Sequence, residues 1–316
     1  MDVLTSVLSA MKLTGSVFLE AEFTAPWCVA SQLLPEDCAA YFPLPEHVIS
    51  YHYVIAGQFQ CRVAGGEPVD VRAGQILLVP RGLEHHIGSS LSAAPVRARD
   101  LVVPPEEGGL ARICFGGGGE AAVMLCGFMG TATPVNSFML SLPEILVIDA
   151  AAGAGGEWLV SSLHHASRET LTGSPELVSR LAELLFVQAI RQYIAELPED
   201  RQGWFAGLRD PHVSQAMTLL HTRCAEAWTT EALAREVGLS RSALAERFSH
   251  YLGEPPMRYL AKWRMNRAAG LMREQRQNAA NVAYEVGFNS EAAFNRAFKK
   301  EFGSPPATWR RERCAA

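Results

Sequence analysis

The chain has 316 residues, of which 48% are apolar, and its 28 Lys and Arg against 33 Asp and Glu give a net charge of −5. This length exceeds that of a typical domain and predicts two, each with enough apolar side chains for its own core. No apolar run long enough to span a bilayer and no secretory leader pattern is present, so we expect a cytoplasmic protein without a membrane segment. Seven cysteines without a CxxC pair argue against a disulfide framework or a zinc cluster.

Charge is divided unevenly along the chain. Residues 209–316 hold 17 Lys and Arg against 11 Asp and Glu, a net of +6, whereas residues 1–208 hold 11 against 22, a net of −11. The basic C-terminal block indicates a part of the chain that binds nucleic acid. The acidic remainder indicates a part that does not bind it. The alternative is ordinary unevenness of surface charge.

The first 20 or so residues predict a short amphipathic helix, because apolar side chains recur there at helical spacing. They are Val3, Leu4, Val7, Leu8 and Met11. From Phe23 to about Leu125, short apolar runs alternate with Gly and Pro breaks, which predicts an antiparallel β-barrel or jelly roll. No Lys-Ser or Lys-Thr follows the Gly116–Gly119 run, so a flexible hairpin loop is a better interpretation of it than a phosphate-binding loop.

The segment AGQILLVPRGLEHHIGS has Gly74, Pro80, Gly82 and His85 at the spacing of the second cupin motif, which it resembles. Cupins often hold a metal through two His and a Glu of their first motif plus this last His. Here the HxH pair is missing, and Ser50 stands at the position of the Glu. A closed metal site is therefore not predicted. His85 can pair with His52 or His47, and we take His52 and His85 as effector-binding candidates, with plain packing as the alternative.

Four cysteines are candidates for oxidation sensing: Cys28, Cys38, Cys114 and Cys126. The alternative for each thiol is a small buried apolar side chain. A redox switch needs an exposed thiol in electropositive surroundings, and a sequence alone does not show this.

A long helix is predicted after Ser174-Pro175-Glu176, which combine a cap, a proline at the first helical position and an acid in the first turn. Apolar side chains then recur nearly all round the helix as far as Ile194. Such a helix buries more than one face, either within its own chain or against a second copy in a homodimer. Leu197-Pro198-Glu199-Asp200 ends it, and Arg201 to Asp210 is the candidate hinge.

Residues 229–306 hold two copies of one pattern. The matched pairs are Ala234/Ala283, Val237/Val286 and Gly238/Gly287 at an offset of 49, then Ser240/Ser290, Phe248/Phe298 and Pro256/Pro306 at an offset of 50. Each copy predicts a helix, a tight turn with a glycine at positive φ, and a second helix capped by the serine. In a helix-turn-helix, the outward face of this second helix lies in the DNA major groove.

The duplicated unit, the intervening MRYLAKWRMNRAAGLMRE and the final GFNSEAAFNRAFKKEFGSPPATWR resemble the DNA-binding domain of AraC-type bacterial transcription regulators. The resemblance covers about the last hundred residues. It implies double-stranded DNA as the partner, RNA polymerase as a further one, and control by a small molecule or an oxidant. No cofactor and no catalytic residue is expected.

The outward faces of the two recognition helices supply the candidate DNA-binding residues. They are Arg241, Ser242, Ala245, Glu246 and Ser249 on the first, and Ala292, Asn295, Arg296, Lys299 and Lys300 on the second. Asn binds adenine and Arg binds guanine with two hydrogen bonds each, whereas the first helix is short of long donors and reads weakly or by shape. Five cations on and around the helix between the copies are available for phosphates: Arg258, Lys262, Arg264, Arg267 and Arg273. The alternative is that some of them pair with Glu254 or Glu274.

The helix predicted between the copies, Met257 to Glu274, is about 27 Å long at about 1.5 Å per residue. With its flanking turns it approaches one turn of B-DNA, about 34 Å, so that both recognition helices reach successive major grooves.

These patterns predict an α+β multidomain chain. Its parts are a cupin-like sensor of antiparallel β-barrel or jelly-roll type at 1–150, a helical dimerisation and linker segment at 151–208, and an all-α DNA-binding domain with two helix-turn-helix units at 209–316. The predicted function is sequence-specific transcription regulation under the control of an effector or of cysteine oxidation. The alternatives are a metal-dependent cupin enzyme with a helical tail and a ligand-independent DNA binder.

Overall fold

The computed structural model describes residues 13–34, 47–104, 110–131, 137–150, 175–198, 203–274 and 279–314, and isolated positions 4, 7, 37, 45, 158, 161, 162 and 165. The chain divides into two compact units. The sensor unit comprises residues 13–131 and 142–196, and the reader unit comprises residues 1–12, 132–141 and 197–316. The predicted domain limits, 1–150, 151–208 and 209–316, stay predictions.

The strands of the sensor unit, in its described part, form two sheets. They are β1 (Thr14–Thr24), β2 (Cys28–Ser31), β3 (His47–Ala56), β4 (Gln58–Val63), β5 (Val69–Arg72), β6 (Gln75–Val79), β7 (His85–Gly88), β8 (Val96–Arg97), β9 (Ala111–Gly116), β10 (Ala121–Thr131) and β11 (Leu146–Asp149). One sheet has the order β11-β6-β3-β10-β1-β9, and the other has the order β5-β4-β7-β2-β8. All pairs are antiparallel except β1 with β9 and β2 with β8.

One apolar core joins the two sheets. Phe23 and Val54 come from the first sheet, Phe59 and Ile87 from the second, and Trp27 from the turn before β2. Trp27 stacks on Phe23 at 4.1 Å between ring centroids. The cupin-like fold class is thereby confirmed, although the described strands form two facing sheets and not a closed barrel.

The predicted N-terminal helix is wrong from Thr14 onward, where β1 begins. Of residues 1–12 only positions 4 and 7 are described, and both are helical. β1 lies between β10 and β9 and turns Leu19, Ala21 and Phe23 into the core. Its alternating apolar residues carry the two-residue period of a strand, which overrides the helical spacing of the residues before it.

The glycine run does not close a hairpin. β9 and β10 flank β1, so the Gly116–Gly119 loop crosses the end of that strand. Gly117 donates its N–H to the carbonyl of Thr24, and Gly119 donates to that of Ala25, both at 2.8 Å. The glycines allow the loop backbone to lie directly on the turn between β1 and β2.

Helices α1 (Ser137–Ser141) and α2 (Pro175–Glu196) precede the C-terminal helices in the chain. α2 belongs to the sensor unit and begins at Pro175, as predicted. It packs on β1 and buries Leu181, Leu185, Phe186, Ala189 and Ile190. Leu177 and Leu184 on the same helix stay 51% and 52% exposed.

The other helices of the reader unit follow in chain order: α3 (Trp204–Arg209), α4 (Pro211–Thr222), α5 (Thr230–Glu236), α6 (Arg241–Leu252), α7 (Pro256–Glu274), α8 (Ala279–Glu285), α9 (Glu291–Phe302) and α10 (Pro306–Cys314). The candidate hinge thus contains α3, whose Trp204 and Phe205 are buried against Phe138 of α1. These large rings make the segment part of the core. In the described part of the chain, no helix is both long and apolar enough to cross a membrane.

Candidate nucleic-acid interface and sensor core

The first helix-turn-helix consists of α5 and α6. Gly238 forms the turn at φ +71°, and the Ser240 hydroxyl accepts a hydrogen bond from the N–H of Ala243 at 3.2 Å. Leu244 and Phe248 are buried completely, which fixes the outward face of α6. On that face Arg241, Ser242 and Glu246 are exposed, and Ala245 and Ser249 are half-buried.

The second helix-turn-helix repeats this arrangement in α8 and α9. Gly287 has φ +86°, and the Ser290 hydroxyl accepts from the N–H of Ala293 at 3.2 Å. Phe294 and Phe298 are buried completely. Ala292, Arg296, Lys299 and Lys300 are exposed, so the predicted outward face of α9 carries three cations.

Asn295 is half-buried on α9, and its side-chain oxygen is enclosed without a hydrogen-bond donor among the described residues. A contact with two hydrogen bonds to adenine requires both the oxygen and the amide N–H₂ of asparagine. Asn295 must therefore rotate its side chain before it can make that contact.

Arg247 lies at the edge of α6 and is held by Asp210, which caps α4. The Asp210 carboxylate lies 2.8 Å from Nε of Arg247. The same carboxylate accepts hydrogen bonds from the N–H groups of His212 and Val213 at the start of α4, each at 3.0 Å. Arg247 therefore positions the first recognition helix against α4.

The helix between the two repeats, α7, has 19 residues and begins at Pro256, one residue earlier than predicted. At about 1.5 Å per residue it is about 28 Å long. Arg258 and Lys262 form ion pairs with Glu254 at 3.6 and 2.8 Å. Some of the predicted phosphate cations therefore have carboxylate partners within the protein.

Arg264 is not available for phosphate, contrary to the expectation from sequence. Its Nε donates to the carbonyl of Cys224, and its Nη2 donates to the carbonyl of Glu226, each at 2.7 Å. Burial lowers the pKa of its guanidinium. Both hydrogen bonds go to the loop between α4 and α5. The Arg273 side chain lies outside the described residues.

His52, His85 and Cys126 form a buried chain in the sensor core. His52 on β3 is paired across the sheet with Cys126 on β10, and its Nδ1 lies 3.0 Å from the sulfur. Its Nε2 lies 2.9 Å from Nε2 of His85, which β7 contributes from the opposite sheet. Nδ1 of His85 lies 3.0 Å from the carbonyl of Leu83. His47, the other possible partner, instead donates to the carbonyl of Pro80 at 2.6 Å.

The direction of these hydrogen bonds follows from the Leu83 carbonyl, which can only accept. His85 must donate through Nδ1, and as a neutral ring it accepts at Nε2. His52 then donates through Nε2 and accepts the thiol proton of Cys126 at Nδ1. Burial lowers the pKa of His85 to about 4 and lowers that of His52 as well, which keeps both rings neutral. An effector that binds His52 or His85 must replace one of these bonds.

The described candidate cysteines differ in exposure. Cys28 and Cys126 are buried, and burial raises the pKa of the Cys126 thiol to about 12 and also raises the pKa of Cys28. Cys114 is exposed. Cys38 lies outside the described residues. Oxidation requires the thiolate, so burial opposes a redox role for Cys28 and Cys126.

Within the described residues, no three His, Cys, Asp or Glu side chains are grouped so that they could hold a metal ion. The sensor unit instead has an open groove of about 840 Å³. Its lining includes Trp27, Phe59, Gln60, Asp70, Arg72 and Glu120. This volume lies within the range of small-molecule sites, about 300–1,000 Å³.

Sequence reasoning missed the roles of Asp210 and Arg264. The signal for Asp210 was present, because Asp before Pro211 is a cap followed by proline at the first helical position. Arg264 gave no such signal, since its carbonyl acceptors lie 40 and 38 residues away in the chain.

Comparisons with known proteins agree with this geometry. A cupin family model matches residues 2–195, and a helix-turn-helix domain model matches residues 233–312. An AraC-like transcription regulator of Streptomyces lividans is 30% identical over 315 residues, which cover 98% of each chain. The HTH-type transcriptional regulator AlkR of Acinetobacter baylyi is 24% identical over 332 residues, 99% of this chain and 100% of that one.

Among solved structures, the chain is similar to the DNA-binding domain of AdpA, a global transcriptional factor, in complex with a target DNA. That likeness has 28% identity and a TM-score of 0.32, and it covers 33% of this chain and 94% of the other. From the whole-length relative and the two domain matches, the chain belongs to the AraC-like transcription regulators, DNA-binding proteins that here combine an N-terminal cupin domain with a C-terminal helix-turn-helix domain.

Proposed function

We infer that this regulator reads DNA sequence with α6 and α9, which enter successive major grooves of one duplex, and that a small effector in the sensor unit changes its occupancy of promoters. The proposal that both helices read DNA sequence rests on one observation, the same pattern of buried and exposed side chains in the two helix-turn-helix copies. In each, two apolar side chains of the second helix are buried completely, and the opposite face carries exposed polar side chains. A helix in the major groove presents such a face.

The two recognition helices differ in what they offer to bases. On α9, Arg296 is exposed and has the fork geometry that matches the O6 and N7 atoms of guanine. On α6, Glu246 is exposed and offers an acceptor for cytosine, while Arg241 and Ser242 are exposed at the start of the helix, where helices in the major groove commonly contact phosphates. We therefore assign most of the sequence discrimination to α9. Lys299 and Lys300 bind phosphates.

The test compares Arg296→Ala with Lys300→Ala, an exposed control on the same helix with the same loss of charge. A duplex selected from random sequence by the wild-type protein serves as the specific probe, and its scrambled version serves as the non-specific one. Arg296→Ala is expected to reduce the ratio of the two affinities about tenfold or more, because a good bidentate pair is worth about 1–3 kcal/mol. Lys300→Ala should weaken both affinities alike. Equal losses on both probes for Arg296→Ala refute the base-reading role.

For the effector, the groove of about 840 Å³ is the best supported site. Its lining includes Gln60, Asp70, Arg72 and Glu120, which supply hydrogen-bonding and charged groups for a small polar molecule. Cysteine oxidation is less well supported, since of the four candidate thiols Cys28 and Cys126 are buried and Cys114 is the exposed one in the described part of the chain.

A panel of small polar metabolites tests the effector site. Compounds that raise the melting temperature of the wild-type chain are measured again with Arg72→Ala, and with Arg99→Ala as an exposed control outside the groove. We expect Arg72→Ala alone to lose the shift. Shifts that survive in Arg72→Ala would place the effector elsewhere.

The regulator acts in the cytoplasm as a homodimer, and it meets RNA polymerase at the promoters that it occupies. Support for the dimer comes from α2, whose Leu177 and Leu184 are exposed seven residues apart on one face. It has no enzymatic role in this proposal, in keeping with its relatives, which are transcription regulators.

A further inference from the structure

The second helix-turn-helix unit packs on the loop between α4 and α5, residues 223–229, which leads into the first unit. The second unit reaches this loop through its turn at Gly287. A Cβ atom on Gly287 would lie 2.5 Å from the carbonyl oxygen of Ala225 and 2.7 Å from its Cα. Atoms this close repel strongly, so only glycine allows the turn of the second unit to rest on the backbone of this loop.

The equivalent glycine of the first unit has no such neighbour. Gly238 has φ +71°, close to the +86° of Gly287, yet no atom of the described residues lies within 4 Å of a Cβ built on it. Both glycines therefore satisfy the same turn conformation. Only Gly287 also serves the contact between units.

Arg264 holds this contact from the side of α7. Its guanidinium donates to the carbonyls of Cys224 and Glu226, which flank Ala225 in the loop. The same guanidinium lies over the ring of Phe288, the residue after Gly287, at 5.9 Å from the centroid. One side chain of α7 thus contacts both the loop that leads into the first unit and the turn of the second.

The loop itself is held in one shape. Arg223 binds both carboxylate oxygens of Glu226, each at 2.7 Å, and its guanidinium lies 4.9 Å from the centre of the Trp228 ring. Trp228 in turn donates its indole N–H to the carbonyl of Arg223 at 3.0 Å. Cys224 is buried. These contacts make the loop rigid, so that the position of the second unit on the loop fixes its position relative to the first unit.

We propose that Arg264 and Gly287 fix the separation and angle of the two recognition helices, and so determine which spacing between two DNA half-sites the regulator accepts. The inference rests on the proposed function, because it requires both units to bind one duplex. Each base pair adds about 3.4 Å and about 34° of rotation. A rigidly joined pair that fits one spacing therefore loses the contacts of one unit when a base pair is inserted.

The experiment uses the full-length chain and a duplex that the wild type selects from random sequence. Its two protected half-sites are then moved apart or together by one base pair, and the affinities are measured by fluorescence anisotropy at one salt concentration. Wild type is expected to bind the altered duplexes about tenfold or more weakly, as the loss of a base-pair contact does. Arg264→Ala and Gly287→Ala are expected to reduce that ratio to about threefold or less.

Two controls match these variants. Arg258→Ala removes the same charge from the same helix at a side chain that is 72% exposed and pairs only weakly with Glu254. Gly238→Ala places the same strained alanine in the equivalent turn without the clash. Both controls should keep the wild-type spacing ratio, whatever they do to overall affinity.

If Arg264→Ala does not fold, Arg264→Lys takes its place, since lysine keeps the charge but lacks the planar fork that reaches both carbonyls. Unchanged spacing ratios in the Arg264 and Gly287 variants overturn the inference, as do equal changes in the two controls. A wild-type footprint with only one half-site would instead overturn the proposed function. The two failures are therefore distinguishable.

Discussion

Asp210 binds Arg247 through one carboxylate oxygen, at 2.8 Å, while its other oxygen accepts two backbone N–H groups at the start of α4. The carboxylate is buried, with 4% of the side chain exposed, whereas the Arg247 side chain is 47% exposed. A single acid thus caps one helix and orients the recognition helix α6. We expect the cap to contribute more to the free energy of unfolding than the ion pair does.

Asp210→Ala is expected to lower the free energy of unfolding of the reader unit by about 2 kcal/mol, through the lost cap and the buried N–H groups left without an acceptor. Arg247→Ala should cost less than about 1 kcal/mol, because its ion pair is half exposed to solvent. Urea unfolding of both variants measures the difference. Equal losses would mean that the ion pair, and not the cap, carries the stabilisation.

The buried histidines predict a stability that depends on pH. Folding lowers the pKa of His85 from 6.5 to about 4, so below pH 6.5 the unfolded state binds the extra proton. Stability is therefore complete above about pH 6.5 and falls as the pH drops toward about 4, by about 1.4 kcal/mol per pH unit for this group. The titratable groups near it are His86 and Glu84, and His52 faces it across the core.

His85→Gln should flatten this pH dependence, and His86→Gln is the matched control, since His86 is only partly buried and pairs with Glu84 at 3.6 Å. Urea midpoints between pH 7.5 and 4.5 supply the measurement. A His85→Gln chain that loses stability with acid as steeply as wild type would show that other groups set the dependence.

Thiol labelling separates the exposed cysteine Cys114 from buried ones. In the native protein we expect Cys114 to react with iodoacetamide and Cys61 and Cys126 to stay unmodified, since burial raises the pKa of each of these two thiols to about 12. Peptide mass spectrometry after brief labelling provides the measurement, with urea-unfolded protein as the control in which all thiols react. Rapid native modification of Cys126 would restore it as a redox candidate.

The exposed face of α2 predicts how the chain associates. Leu184→Glu places a charge on the exposed face that also carries Leu177, and we expect it to convert the proposed homodimer to a monomer. Val103→Glu, at an apolar position 60% exposed outside this helix, is the control and should leave the mass unchanged. Light scattering after gel filtration reports both masses. A dimeric Leu184→Glu chain would place the interface elsewhere.

Local rules predicted the reader unit well. The serine caps of α6 and α9, the glycine turns and the buried Phe248 and Phe298 all follow from interactions within a few residues, and the structure confirms them. The base-reading residues themselves stay predictions. Exposure of Arg296 is necessary for that role, but it does not demonstrate it.

The features that the sequence did not predict depend on contacts between residues far apart in the chain. The placement of β1 between β9 and β10 depends on pairing with strands about a hundred residues away, which local spacing does not encode. Pairing of His85 with His52 or with His47 was an open alternative from sequence. His47 and His52 both lie on β3, and the structure pairs His52 with His85 at 2.9 Å, whereas the ring of His47 donates to the carbonyl of Pro80.

The ring of Phe138 meets those of Trp204 and Phe205 edge to face, at 5.2 and 5.4 Å between centroids, and all three side chains are buried. A C-terminal fragment that begins at α4 lacks Trp204 and Phe205, which leaves out two of these rings. A fragment that begins at α3 keeps both but lacks Phe138, so the surface that Phe138 covers becomes exposed. Exposed aromatic surface of this kind promotes self-association. A truncated reader unit should therefore include residues 132–141, either fused to the fragment or added as a separate peptide. Without them, we expect the fragment to aggregate.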